Sequence, residues 1–250
     1  MIYKTEAIVL NKQDFRETSL IITFYTRHFG KIGGLLKGIR KEPSKFASSL
    51  ELFSLNEIIF YKKRNTTLHL VSAADSKDNF NGVRTDMIKM GIASAMLELI
   101  TSIMPYEDIN EDIFNLALTC LKEMETNRDA EKIMLLFKIK TLSMSGFKPH
   151  FDSCVSCGCK INDISKFSNS LGGLLCPKCF RKDLSSRQIF KGTIASVLFI
   201  ERNDIKNGMN LGLNPQVKRE LYYLLNSFLD FHVGKRLKSE RVIDKLGVLK

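Results

Sequence analysis

Cys154-Val-Ser-Cys157 and Cys176-Pro-Lys-Cys179 are two CxxC pairs with 18 residues between them. Each CxxC turn presents two thiolates to one ion, and two such turns complete a tetrahedron; this spacing lies in the range of structural zinc sites. Gly158 follows the first pair, where a turn exposes backbone N–H groups to the thiolates, and Gly172-Gly173 suits a hairpin that returns the second pair to the first. Four thiolates leave no open coordination position for water, so the expected role of Cys154, Cys157, Cys176 and Cys179 is to hold one structural Zn2+. The competing readings are four buried thiols or a dithiol redox pair. Cys159 stands as a substitute ligand or a bystander, and Cys120, on a helical stripe, as a core residue.

A second constellation lies between residues 30 and 46, where Lys31, Lys37, Arg40, Lys41 and Lys45 oppose only Glu42 and are interleaved with glycines. Glycine permits close backbone approach and the cations can track phosphates, which in a small barrel would suit a single-strand groove. Phe15, Phe24, Tyr25, Phe29 and Phe46 are either groups on which bases stack or barrel core. The basic tail from Lys235 to Lys250 is a further binding segment or a solvated helix face. Catalytic patterns do not appear. None of the four His begins an H-x-E or H-E-x-x-H element, and Gly33 and Gly38 have the interval of a phosphate loop but are followed by Ile39-Arg40. The carboxylate pairs Glu107-Asp108 and Glu111-Asp112 fall where they favour a helix N-terminus.

The elements that must carry these residues change character near residues 75–83. Before that break, Ala7–Leu10, Ser19–Tyr25, Ile32–Lys37, Leu55–Tyr61 and Thr67–Ala73 read as five short strands, the last two a hairpin across Arg64-Asn65-Thr66, and together they predict a small barrel. After it, apolar residues recur at helical spacing from Met87 to Met104, Ile113 to Met124, Ile133 to Met144 and Thr193 to Arg202, and Asn214-Pro215 is a cap and first turn for a helix reaching His232.

The 250 residues carry 38 Lys+Arg against 27 Asp+Glu, a formal net charge of +11. Residues 1–80 hold a net +5, 81–153 a net −3, 154–180 a net +2 and 181–250 a net +7, so the positive field comes from the two ends and the cysteine region. That distribution fits a polyanionic partner or plain solubility. The apolar run Ile92–Met104 is broken by Glu98 and is too short to span a bilayer, and the N-terminus lacks the pattern of a secretory leader. The expectation is a soluble cytoplasmic protein with no membrane association, and in that compartment six Cys favour metal or free thiols over disulfides.

In their order along the chain, several of these segments resemble the RecO family of bacterial DNA repair proteins. They are Ala7-Ile-Val-Leu10, Asp14-Phe-Arg-Glu17, Thr26-Arg-His-Phe-Gly30, the basic Lys37-Gly-Ile-Arg-Lys41, and Gly146-Phe-Lys-Pro149 with the four-cysteine segment. Leu221 to Phe231 followed by Gly234-Lys-Arg-Leu-Lys-Ser239 resembles the family's close. The resemblance implies an α+β multidomain chain: an N-terminal OB-fold β-barrel over 1–80, then an α-helical domain over 81–250 carrying a small zinc module at about 148–185. It implies a recombination mediator, not an enzyme, without a small-molecule substrate. Such a protein binds single- and double-stranded DNA, anneals complementary strands including those coated with the single-strand-binding protein SSB, and with RecR helps RecA displace SSB. On the resemblance, Lys37, Arg40 and Lys41 contact DNA, Lys31 and Lys45 join them on charge, and the four CxxC cysteines are the zinc ligands. The helical domain is expected to dock the acidic, apolar SSB tail, with Phe137, Lys138 and Lys140 as its site, unless those cations are a solvated helix face. The alternatives are a zinc-ribbon regulator of duplex DNA and, behind it, a metal-dependent enzyme of nucleic acid.

Overall fold

The computed structural model describes residues 1–42, 50–127, 129–161, 164–234 and 237–239. Its contacts divide the chain into two compact units, Met1–Asn127 and Arg128–Lys250.

The first unit opens with five strands, β1 (Ile2–Phe15), β2 (Ser19–Thr26), β3 (Gly30–Leu36), β4 (Leu55–Tyr61) and β5 (Leu68–Asp78). They close into a barrel in the order β1-β2-β3-β5-β4, with β3 and β5 parallel and the other neighbours antiparallel, which is the order of an OB fold. Closure depends on β1. Its residues 2–8 pair with β4 and its residues 7–15 pair with β2, with a register shift between Val9 and Asn11 where the strand passes from one neighbour to the other. The sequence shows only Ala7–Leu10 of this strand because the flanking residues are polar and largely exposed. Ala7, Val9, Leu20, Ile22, Phe24, Ile32, Ile58, Phe60 and Val71 fill the barrel. Gly34 is required by that filling: a Cβ there would stand 2.6 Å from Phe24 and 2.7 Å from Val71.

Three helices complete the unit, α1 (Asn81–Arg84), α2 (Met87–Ile103) and α3 (Glu111–Thr126). Asp86 caps α2 by accepting from the N–H groups of Ile88 and Lys89, and Asn110 caps α3 by accepting from Ile113. The Tyr25 hydroxyl donates to the Asn110 carbonyl at 3.2 Å, which fastens the start of α3 to the barrel wall.

The second unit is built on α4 (Ala130–Met144), whose residues from Ala130 to Leu142 are buried apart from Glu131. Around it come α5 (Lys191–Arg202), α6 (Ile205–Asn210) and α7 (Pro215–Val233). The expected Asn214-Pro215 start is observed: the Asn214 side chain accepts from Val217 N–H at 2.8 Å and Pro215 takes the first turn. Gly234 ends the helix in the left-handed region at φ +69°. A small sheet of β6 (Ser165–Ser168), β7 (Gly173–Leu175) and β8 (Arg187–Ile189), in the order β7-β6-β8, carries the cysteines. Among the described residues no helix is long and apolar enough to cross a membrane.

Candidate metal centre and nucleic-acid interface

The four cysteines of the two CxxC pairs converge. Cys154 begins a turn closed by Gly158 N–H donating to the Cys154 carbonyl at 2.8 Å, with Gly158 at φ +73°. Cys176 leads into the 3-10 turn Pro177–Lys182, where Cys179 N–H donates to the Cys176 carbonyl at 2.8 Å. The β6–β7 hairpin brings the two turns together. Leu174 N–H donates to the His150 carbonyl at 3.0 Å and Val155 N–H to the Leu174 carbonyl at 2.8 Å, so the chain before the first turn runs alongside the strand that ends at the second.

The four sulfurs all lie within 4.8 Å of one another, and Cys157 Sγ is 3.7 Å from Cys176 Sγ. A tetrahedron of thiolates at metal–sulfur distances of about 2.3 Å has edges of about 3.8 Å, so the cluster has the dimensions to take one ion. Leu175, Ile161 and Phe180 pack against the buried sulfurs. Burial raises the Cys154 thiol, but N–H groups of Cys176, Cys157 and Ser156 outweigh it and bring Cys154 down to about 6. Cys179 goes the other way. Ser156 favours its thiolate, yet burial and the thiols of Cys157, Cys176 and Cys154 push it up to about 11. Four thiols this close do not ionise together without a positive charge at their centre, which a bound cation would supply. Cys159 is exposed, and its carbonyl accepts from Cys154 N–H at 2.9 Å.

Asp183 braces the module in a way the sequence did not announce. Its carboxylate accepts from Ser168, from Ser170 at 3.0 Å and from both the N–H and hydroxyl of Ser185 at 2.8 and 2.6 Å. The Ser168 and Ser185 hydrogen bonds hold its acidity well below the ordinary range, at about 2. The signal available in the sequence was an Asp two residues before a serine pair, which is common in loops and says nothing of a shared partner.

The cationic turn after β3 is the second feature. Lys37, Arg40 and Lys41 are exposed, while Ile39 between them is buried in the barrel core. Gly38 sits at φ +73° and its carbonyl accepts from Lys41 and Glu42 N–H, each at 3.0 Å, so the chain reverses tightly around Ile39. Arg40 is tied to the β1–β2 end: its N–H donates to the Thr18 carbonyl at 3.1 Å, and its guanidinium reaches the Arg16 carbonyl at 3.3 Å and Asp14 at 3.5 Å. Arg16 is exposed and lies over the half-buried Phe15 ring at 5.3 Å, adding to an aromatic named among the stacking candidates a cation that was not.

Other expected contacts lie elsewhere. Lys31 is corrected: it is 6% exposed, and its ammonium donates to the Thr101 carbonyl at 2.7 Å over the Tyr106 ring, so it serves the end of α2. Phe24 and Tyr25 are fully buried, and Phe29 is half-buried against the core. Lys45 and Phe46 lie outside the described residues, as does most of the Lys235–Lys250 tail. Phe137, Lys138 and Lys140 do not form the expected surface for an acidic tail. Phe137 and Lys138 are 0% exposed and Lys140 is 9% exposed; Lys138 donates to Asn226 and lies 5.0 Å from the Tyr222 ring centre. The physical reason is that α4 is the central helix of its unit, so its cations are held by the protein.

The barrel and the helical segment each match a family model: residues 1–80 match that of the Recombination protein O N terminal, and residues 84–241 that of the Recombination protein O C terminal. The chain belongs to the RecO family. It is similar to the DNA repair protein RecO of Desulfatibacillum aliphaticivorans, at 30% identity over 248 residues covering 97% of this chain and 96% of the relative. It is also similar to the DNA repair protein RecO of Alkaliphilus metalliredigens, at 30% over 236 residues covering 94% and 95%, and to that of Dehalococcoides mccartyi, at 30% over 246 residues covering 98% and 96%. Within this RecO-family chain the closed barrel presents the cationic turn and the second unit presents the four-thiol centre.

Proposed function

We propose that this RecO-family chain is a non-enzymatic recombination mediator that binds single- and double-stranded DNA and pairs complementary strands, including strands coated with SSB. With RecR it helps RecA take over from SSB, in the cytoplasm at the nucleoid. The observation that carries the reading is the exposed turn of Lys37, Arg40 and Lys41 on the barrel, anchored by buried Ile39 and extended by Arg16 over Phe15. Cations at fixed positions around a glycine take phosphates, and a neighbouring ring takes a base. In the second unit, Cys154, Cys157, Cys176 and Cys179 hold one zinc ion. With four thiolate ligands that ion has no open position, so its contribution is to the fold of the module. The SSB tail is a partner on this reading, with a docking surface other than Phe137, Lys138 and Lys140. No observation favours a duplex-specific regulator.

The test is annealing of two complementary labelled oligonucleotides, each coated with SSB, without nucleotide. Pairing faster than with SSB alone is expected. An unchanged rate with folded, metal-loaded protein, both alone and with RecR added, would overturn the mediator reading.

A further inference from the structure

The cysteine module carries cations that the cationic turn of the barrel does not explain. Its 3-10 turn Pro177–Lys182 presents Lys178, Arg181 and Lys182, all exposed, while Cys179 among them is buried in the thiol cluster. At three residues per turn Lys178 and Arg181 stand one above the other. Phe180 packs on the cluster, and the Lys166 ammonium of β6 lies 5.0 Å from its ring centre, which brings a fourth cation to the same turn. Among the described residues none of these four is in an ion pair.

Asp183 follows the turn directly, yet it pairs with none of them. Both of its carboxylate oxygens accept from serines: Oδ2 from Ser168 and Ser170, Oδ1 from the N–H and hydroxyl of Ser185. The acid in the best position to neutralise the turn is engaged in bracing the module instead.

The shape of the turn comes from the sulfurs. A 3-10 run of six residues is longer than such helices usually sustain by themselves, because their hydrogen bonds are poorly aligned. Here Cys176 precedes the run and Cys179 lies within it, with Cys179 N–H donating to the Cys176 carbonyl at 2.8 Å. Two of the four sulfurs of the metal centre therefore fix the backbone from which Lys178, Arg181 and Lys182 project. Cations held at fixed spacing and left without acids suit a polyanion of regularly spaced charges.

We propose that the metal-held turn Pro177–Lys182 is a second DNA contact, with Lys178, Arg181 and Lys182 on backbone phosphates and no base read. The proposal rests on the DNA-binding and zinc readings above. It commits to phosphates alone because the one ring in the turn, Phe180, packs on the thiol cluster and carries Lys166. Single strands and duplexes are then both taken, and the zinc ion serves DNA binding by keeping the cations in place.

Binding of labelled single-stranded and duplex oligonucleotides is measured by anisotropy across a salt series. The proteins are the zinc-loaded full chain, Lys178→Ala/Arg181→Ala/Lys182→Ala and Lys37→Ala/Arg40→Ala/Lys41→Ala. All six positions are exposed, and unchanged melting and zinc content confirm that each variant is folded and loaded. Removing three phosphate contacts from the module should lower the salt slope by about 2 on single strands and about 2.7 on duplex. Chelating zinc from the wild type should lower its slope towards that of the module variant and leave the module variant's own slope unchanged. A wild-type slope in the module variant, with a lowered slope in the barrel variant, overturns this inference and leaves the DNA-binding reading standing. Wild-type slopes in both variants sink both. A lowered slope in the module variant that chelation does not reproduce in the wild type shows cations acting without the metal, which also overturns the inference as stated. Wild-type protein that takes up no zinc overturns the zinc reading and this one with it.

Discussion

Lys37, Arg40 and Lys41 owe their placement to the apolar residue among them. Ile39 is in the barrel core and Gly38 supplies the left-handed turn, so the three cations are directed outward by the burial of one neighbour. Replacing all three with alanine should lower the single-strand salt slope by about 2 without changing melting, read by fluorescence anisotropy across a salt series. The cysteines obey a different logic, because each sulfur depends on the other three. Cys176→Ser should abolish stoichiometric zinc and cost on the order of 4 kcal/mol or more of the second unit's stability, checked by metal analysis and thermal melting. Asp183 makes a pH prediction. Its folded value near 2 lies below the ordinary carboxylate range, so its contribution is complete above about pH 4 and is lost as pH falls towards 2. The stability difference between wild type and Asp183→Asn should therefore shrink over that interval in denaturant titrations. Arg16 and Asp183 were not legible in the sequence: Arg16 joins the cationic turn only because Arg40 reaches its carbonyl from another segment, and Asp183 gathers Ser168 and Ser170 from the β6–β7 hairpin.

At the scale of elements, the segments that showed a period were found where the period placed them. Leu55–Tyr61 is β4 residue for residue, and the stripe from Met87 stops at Ile103, just short of Pro105. What escaped is short or stapled. β6, β7 and β8 have three or four residues each, too few to show alternation, and they are held by the cysteine turns. α1 and α6 span four and six residues, less than two turns. The glycine pair lies inside β3, within the strand expected at Ile32–Lys37, and the structure adds the reason for Gly34: Phe24 and Val71 occupy the space over it. Gly34→Ala should cost about 1–3 kcal/mol by overpacking, with an unchanged denaturant m-value in urea melts.

For the whole molecule, net charge overstates what is available at the surface. Among the described residues five lysines are buried: Lys31, Lys89, Lys132, Lys138 and Lys140. Three of them donate to main-chain carbonyls at or near helix ends, Lys31 to Thr101, Lys89 to Glu125, and Lys132 to Met209 and Leu211. This is where a cation meets the negative end of the helix dipole. A count of Lys and Arg cannot distinguish these from Lys63 or Arg40, and that is why Lys31 and Lys138 were assigned outward roles. Lys132→Ala should destabilise the chain by about 1–3 kcal/mol through orphaned carbonyls while leaving the salt slope of DNA binding untouched, read by paired melting and anisotropy.

The two-sided pairing of β1 also governs how the chain is made. Its residues 2–8 await β4, which begins at Leu55, so a ribosome leaves that half of the strand without its partner for roughly 3–10 s at the usual rates of synthesis. A lone strand edge is a template for joining another nascent chain. Lys4 and Glu6 stand within that waiting half, and only on closure does Lys4 gain its ion pair with Glu57. Until then the same two charges act as gatekeepers, keeping newborn copies on a polysome from zipping together before each can close on itself.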